Sequence, residues 1–396
     1  MVLLATGAVF GLYLPNTPDN VWKSGINQTG DALEKVVTTA TEPSKLDSYK
    51  SSEISGTADV TYDSQNFTGE FTSKFDQSTS DSGLEVNFKD GSGKAAKVTA
   101  KLLTTLAKDS NYPDIYLQVT GMKALGLDSF IPSLTTYDGK WILIDSKYLE
   151  SVGATYLSGS DNNQKQVTST DIAAAAQAAA KVTNEYLLTT DSEKAVLTQE
   201  SFVGKETIGE VKTYHYKVSL NQDHATDYCV ALGNAMLSTE AYKKISGATD
   251  KEIANTKKEL GSSCKDSIKD ELKSSDTFDL WIDKSYKLVY KVRVTDSKGS
   301  YGEVGQRYMG GNNLTLFSNI HDTERKADSK ITVGTNLKTN ETSGEYIEKS
   351  TGSNPYDIKV TLKAKPSTES VTITKPSPVT PIQEVLTKLN GLFNSI

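Results

Sequence analysis

The residues of this chain that could do chemistry are mostly carboxylates, lysines and tyrosines. Histidine occurs only as His215, His224 and His321, and cysteine only as Cys229 and Cys264. Acid–base catalysis or metal binding needs several such groups at a fixed spacing. His224 has Asp223 and Asp227 beside it, but one histidine with two acids on a polar helix is weak evidence for a metal, and no metal site is expected. His215 shares strand parity with Thr213 and Lys217, opposite a run of tyrosines, and reads as an exposed strand residue. No HExxH, GxSxG, Walker-type or DxDxDG pattern occurs, so no cofactor is expected. "DGSGK", Asp90 to Lys94, lacks the first glycine of a phosphate loop and reads as a hairpin turn.

One small concentration of reactive groups is "YDGKWILIDSKYLESVG", Tyr137 to Gly153. Asp138-Gly139 is a turn pair and Lys140 to Asp145 a strand. Asp145-Ser146 then caps a short helix. Asp145 and Asp283 each close a tryptophan-containing strand. Either could be half of an acid–base pair, yet a carboxylate at a strand end is best used to accept turn amides. The chain reads as a binding protein rather than an enzyme.

The elements that position these groups follow from hydrophobic period. From Thr17 the spacing of Val21, Trp22, Ile26, Leu33, Val36 and Val37 predicts an amphipathic helix with Thr17 as its cap and Pro18 in its first turn, despite two glycines. From about Ser51 the period becomes two, in "NFTGEFTSKFD", "GLEVNFKD", "KVTAKLLTTL" and "DIYLQVTG", as in an antiparallel meander. "STDIAAAAQAAAKVTNEYLLTT" is a helix capped at Ser169 or Thr170. "KTYHYKVSL" returns to strand with Tyr214, Tyr216, Val218 and Leu220 on one side. Residues 222–273 read as a helical insertion of two or three helices holding both cysteines. "TFDLWIDKSYKLVYKVRVTD" places Phe278, Leu280 and Ile282 on one face, then turns at Lys284-Ser285 into a strand with Tyr286, Leu288, Tyr290, Val292 and Val294 on one face.

Composition narrows the function classes. Of 396 residues 36% are hydrophobic and the formal net charge is −7, with acids and bases interleaved. No nucleic-acid partner is expected, because such binders need a concentrated basic face. The apolar run Val2 to Leu14 is shorter than the roughly 20 residues of a membrane span. It also lacks the basic flank of a secretory signal. Residues 1–16 are therefore read as a partial transmembrane anchor or signal remnant, with the rest outside the cytoplasm. In an oxidising compartment Cys229 and Cys264 would pair, contributing about 3–4 kcal/mol; in the cytosol they would be two thiols. Residues 376–396 read as a proline-containing linker followed by a terminal helix.

Two of these stretches resemble elements of the LolA/LppX-like (LppX/LprG-type) extracytoplasmic lipid carriers. "DGKWILIDSKYLESVG" is similar to that family's tryptophan strand leading into a short helix, and "FDLWIDKSYKLVYKVRVTD" to its later hairpin. The resemblance covers roughly residues 36–309. It implies an α+β fold: a large curved antiparallel sheet, an unclosed half-barrel, with helices on its concave face, forming a single domain over 17–375. It also implies a membrane-anchored bacterial protein that holds a lipid or other apolar small molecule between sheet and helices. The candidate lining is Phe67, Phe71, Leu84, Val86, Phe88, Leu117, Trp141, Tyr214, Tyr216, Leu280 and Tyr290, which a plain core would equally require. This chain carries no lipobox cysteine and has the extra insertion. An envelope or surface protein–protein interaction scaffold with no small-molecule ligand is the alternative.

Overall fold

The structure is a computed structural model that describes residues 17–63, 65–77, 79, 81–90, 98–106, 112–125, 132–152, 167–271, 277–308 and 311–393. The expected anchor over residues 1–16 and most of the Asp90–Lys94 turn lie outside the described residues. The chain starts with α1 (Pro18–Ala40) and α2 (Pro43–Ser48). Five strands follow: β1 (Ser51–Tyr62), β2 (Gln65–Asp76), β3 (Ser82–Asp90), β4 (Val98–Leu106) and β5 (Pro113–Thr120). Then come β6 (Trp141–Ile144), α3 (Ser146–Ser151), α4 (Ser169–Tyr186), β7 (Leu197–Ile208) and β8 (Val211–Leu220). The insertion is α5 (Gln222–Leu237), α6 (Glu240–Ser246) and α7 (Asp250–Glu271). After it run β9 (Thr277–Asp283), β10 (Val289–Thr295), β11 (Tyr301–Tyr308), β12 (Asn313–Asp322) and β13 (Ala327–Asn336). β14 (Thr342–Ser350), β15 (Tyr356–Ser367), β16 (Val379–Pro381) and α8 (Ile382–Phe393) complete the chain.

The strands form one sixteen-stranded sheet in the order β16-β6-β5-β4-β3-β2-β1-β15-β14-β13-β12-β11-β10-β9-β8-β7. That order has two ends, so the sheet is not closed into a barrel, and the fold is α+β. β16 runs parallel to β6, which makes the sheet mixed and places a strand in the segment read as linker. The chain divides into two compact units. Unit 1 is Met1–Leu46, Gln164–Glu324 and Gly334–Lys338; unit 2 is Asp47–Asn163, Arg325–Val333 and Thr339–Ile396.

The core of unit 1 forms where α1 meets β8 and β9. Val21, Trp22 and Ile26 pack on Tyr214, Tyr216, Val218, Phe278, Leu280 and Ile282. The Trp22 and Tyr216 rings are 5.4 Å apart, and Tyr216 Oη donates to the Pro18 carbonyl at 2.7 Å. Both glycines of α1 are points of close approach. A Cβ at Gly25 would lie 2.7 Å from Ile282, and one at Gly30 would lie 3.0 Å from Asn184 of α4. Thr17 occupies the cap position of α1, but its side chain makes no capping bond. The cap of α4 is Thr168, one residue before the expected Ser169; its hydroxyl and Asp171 exchange bonds across the first turn. Thr168 is the cap in place of Ser169 or Thr170 because Asp171 stands at its third position, where the carboxylate bonds back to the cap amide.

α4 packs on α1, α5 on α4, and α7 on α5. Cys229 of α5 and Cys264 of α7 are joined in a disulfide with Cα atoms 5.9 Å apart. This fastens a helix, α7, that buries little apolar surface of its own: among its described residues Ile253 and Cys264 are the buried ones. The strand expected from Tyr286 instead begins at Val289. Lys287 adopts φ +49°, a left-handed turn conformation that a strand cannot contain. A register shift between Val289 and Lys291 follows and lets both Val289 and Val292 reach the core.

Gly25→Ala tests the tight α1 contact. Alanine favours a helix by about 1 kcal/mol, yet the new methyl meets buried Ile282, so the variant is expected to lose about 1–2 kcal/mol of unfolding free energy in urea. Adding Ile282→Val should restore part of that loss. A more stable single variant would disprove the close packing.

Candidate functional site

The residues expected to line one cavity are divided between the two units. In unit 1, Tyr214 (1% exposed), Tyr216 (0%) and Leu280 (0%) are packed solid beneath α1. Tyr290 is half-buried, its ring 5.6 Å from that of Phe317. Tyr214, Tyr216 and Leu280 are filled core.

In unit 2 the register gathers the others. Residues directly opposite across paired strands share a face. Phe71 pairs with Val86, Leu84 with Leu102, Leu102 with Leu117, and Leu117 with Ile142. On the other side Phe67 pairs with Val60, and Val60 with Ile358. One face of the sheet, from β15 to β6, is thus apolar. It is also open: Phe67 is 46% and Phe88 51% exposed, with Ile54, Tyr62, Phe75 and Leu362 exposed beside them. The helices of unit 2 pack at the β5, β6 and β16 end. Phe71 sits directly over Gly56, where a Cβ would lie 2.6 Å from its ring. The flat aromatic needs the missing side chain. Trp141 pairs with Gln118 and so faces away from Phe67 and Leu117, on the opposite side of the same sheet.

The carboxylates of the two tryptophan strands serve their own turns. Asp145 Oδ1 accepts from Tyr148 N–H at 2.7 Å as the cap of α3, and Asp138 Oδ1 accepts from Gly121 N–H at 2.7 Å. Asp283 Oδ1 accepts from the Ser285 and Tyr286 amides at 2.6 and 3.0 Å.

The sequence reading missed a polar network on the face of unit 1 that α1 does not cover. His215 was expected to be exposed and is 9% exposed. Its Nδ1 lies 2.6 Å from Glu206 Oε1 and its Nε2 2.6 Å from Asp279 Oδ1. An ionised carboxylate only accepts, so both contacts are hydrogen bonds when both ring nitrogens carry protons. Both ring nitrogens are thus turned toward carboxylates. Its ring stacks on Trp281 at 4.4 Å, and Trp281 Nε1 donates to Glu206 Oε2 at 3.0 Å. Lys291 Nζ lies 4.4 Å from the same indole.

One cross-strand row runs Lys217, Asp279, Arg293, Glu303, Asn319. Lys217 Nζ meets Asp279 Oδ1 at 2.8 Å. Glu303 is buried and accepts from Lys291 Nζ at 2.8 Å, Arg293 Nη2 at 2.7 Å and Asn319 Nδ2 at 2.7 Å. Burial alone raises the Glu303 pKa. The bonds from Lys291, Asn319 and Arg293 outweigh this and hold it below the usual carboxylate range. Burial likewise opposes ionisation of Asp279 and Glu206. Lys217 and His215 for the first, and Trp281 and His215 for the second, bring both pKa values down. The only sequence signal was the parity of His215 with Lys217, repeated by Asp279 with Trp281 and by Lys291 with Arg293. Alternation on the second face was visible; that the polar residues would shield one another was not.

His224 Nδ1 bonds to the Ala195 carbonyl at 2.9 Å, and the His321 ring stacks on Tyr301 at 5.3 Å. Among the described residues no group of three or more His, Cys, Asp or Glu is placed to hold a metal ion. Among them, too, no helix is long and apolar enough to cross a membrane.

No family model and no curated protein matches the chain. Among solved structures it is similar to a DUF1329 family protein from Desulfovibrio piger, at 8% identity over 87% of this chain and 95% of that one, with a TM-score of 0.19. It is also similar to the Pseudomonas aeruginosa MucA/MucB complex, at 9% identity over 87% of this chain and 100% of that one, with a TM-score of 0.12. Both scores are too low to carry an argument about fold or role.

Glu303→Gln tests the polar network. It keeps the shape but leaves buried Lys291 without a counter-charge, and should cost about 3 kcal/mol at pH 7 in urea unfolding. Because the folded-state pKa of Glu303 is lowered, its stabilisation is present above the unfolded value of about 4 and is lost as pH falls further. The gap between the two proteins should therefore narrow in acid. A gap that does not change with pH would refute this role for the carboxylate.

Proposed function

We propose that this is an extracytoplasmic binding protein that holds a lipid or other apolar ligand against the open apolar face of unit 2. One observation carries the reading: a face that is apolar over seven neighbouring strands, from Ile358 through Val60, Phe71 and Leu102 to Ile142, leaves Phe67 and Phe88 about half exposed. Contiguous apolar surface of that extent is rare on a protein with no apolar partner. The resemblance of the Trp141 and Trp281 stretches to LolA/LppX-like carriers supports an acyl chain as the partner. The disulfide supports an oxidising compartment, and the apolar run Val2–Leu14 supports a tether at the N-terminus. No catalytic step is part of the reading.

A cavity between sheet and helices in unit 1 is not part of it, since Tyr214, Tyr216 and Leu280 fill that space. This solid packing favours the second reading, an envelope scaffold that docks a protein segment on the same face of unit 2. The experiment separates the two. The protein is purified from membranes with mild detergent and examined by native mass spectrometry, alone and as Phe67→Asp/Phe88→Asp. Co-purifying lipid that is lost in the double variant, with the melting temperature unchanged, supports the carrier. Lipid-free wild-type protein overturns it and leaves the scaffold.

A further inference from the structure

The other face of the unit 2 sheet carries a second site. Register puts Lys74, Gly83, Glu85, Lys101, Leu103 and Trp141 on the side opposite Phe71 and Leu117. Across this side passes the extended segment that follows β15. Its near end is fastened by Val371 N–H donating to Asp76 Oδ2 at 2.9 Å and by Ser51 Oγ donating to the Glu369 carbonyl at 2.6 Å. Its far end is fastened by Lys375 Nζ, 3.6 Å from Asp114 Oδ2, and by β16 beside β6. Between these anchors Thr372, Ile373 and Thr374 make no hydrogen bond among the described residues. Strap and sheet flank an open groove of about 560 Å³, within the roughly 300–1,000 Å³ of small-molecule sites.

The lining selects a chemical class. Lys101 is paired with Glu85 at 3.0 Å and Lys74 with Glu53 at 3.5 Å, so the lysines present no surplus charge to an anion. An acyl chain laid here would strand Lys74, Glu85, Asn87 and Lys101 away from water. Beside these polar groups lie the apolar surfaces of Trp141, Leu103, Val371 and Ile373. The Trp141 indole N–H and the Thr72 hydroxyl have no partner in the protein among the described residues. A neutral ligand with one apolar face and many hydroxyls satisfies the whole set. We propose that this groove binds a neutral saccharide of one or two rings. Trp141 is the platform for a sugar face, and Thr72, Asn87 and the strap amides bond to its hydroxyls.

The probes are the neutral disaccharides cellobiose, maltose and diacetylchitobiose at millimolar concentration, read by saturation-transfer NMR and by tryptophan fluorescence. Trp22 and Trp281 are buried, so a ligand-dependent change in emission reports Trp141. At least one disaccharide should show transfer and shift the emission. Trp141→Ala should weaken that binding roughly tenfold, the loss of one stacking contact with its hydrogen bond. Thr72→Val keeps a β-branched strand residue and should weaken it several-fold; it carries the test if the tryptophan variant does not fold by circular dichroism. Absence of transfer from all three sugars, or binding unchanged in the folded variants, overturns the proposal.

Discussion

Unit 1 depends on the contact between α1 and the strands β8 and β9. Val21, Trp22 and Ile26 descend onto Tyr216, Leu280 and Ile282, and the approach is close enough that position 25 has room only for a hydrogen. A glycine inside a helix costs about 1 kcal/mol in propensity. Here that loss is offset by dispersion contacts across the helix–sheet interface. The same contact removes the space in which a ligand could have been held. Tyr214 and Tyr216 look like cavity lining in the sequence because they are apolar-faced and large. They are core because the helix above them sits so low.

A sheet has a second face, and the two units treat theirs differently. In unit 1 the side away from α1 is closed by its own polar residues. His215 is clamped by Glu206 and Asp279 and stacked on Trp281; Glu303 gathers Lys291, Arg293 and Asn319. Each charge has a partner at hydrogen-bond distance, which is the condition for keeping ions away from water. In unit 2 the apolar side is left open, and the polar side is bridged by the strap over a groove. The open apolar face from β15 to β6 and the groove beneath the strap belong to unit 2, and the paired network around His215 and Glu303 to unit 1.

Much of the fold was legible because periodicity is local. The α1 stripe, the tyrosines of β8, the three helices of the insertion and the cap at Asp145 all follow from spacing and from side-chain chemistry near in sequence. The start of β10 was misread because the apolar alternation from Tyr286 runs on through a turn; one left-handed residue, Lys287, ends it, and no pattern of two announces that. The site was less legible. Strand alternation put Phe67, Phe71, Leu84, Val86, Phe88 and Leu117 together, and the register places them on one face. Trp141 was named among the lining residues with them; its strand is short and apolar on both sides, and pairing with Gln118 shows which way it points.

By itself the sequence determined which residues alternate, which stretches are helix, and that the chain carries no familiar catalytic or metal motif. The tertiary structure decided which faces are covered. Whether an apolar strand face becomes core, open surface or groove depends on what packs above it, and that partner comes from a distant part of the chain. Trp22 is nearly 200 residues from Tyr216 in sequence and 5.4 Å from it in space. His215 reaches Asp279 in the same way, through a register that no local spacing encodes. Period two specifies that a strand has two faces; long-range pairing alone specifies what each of them meets.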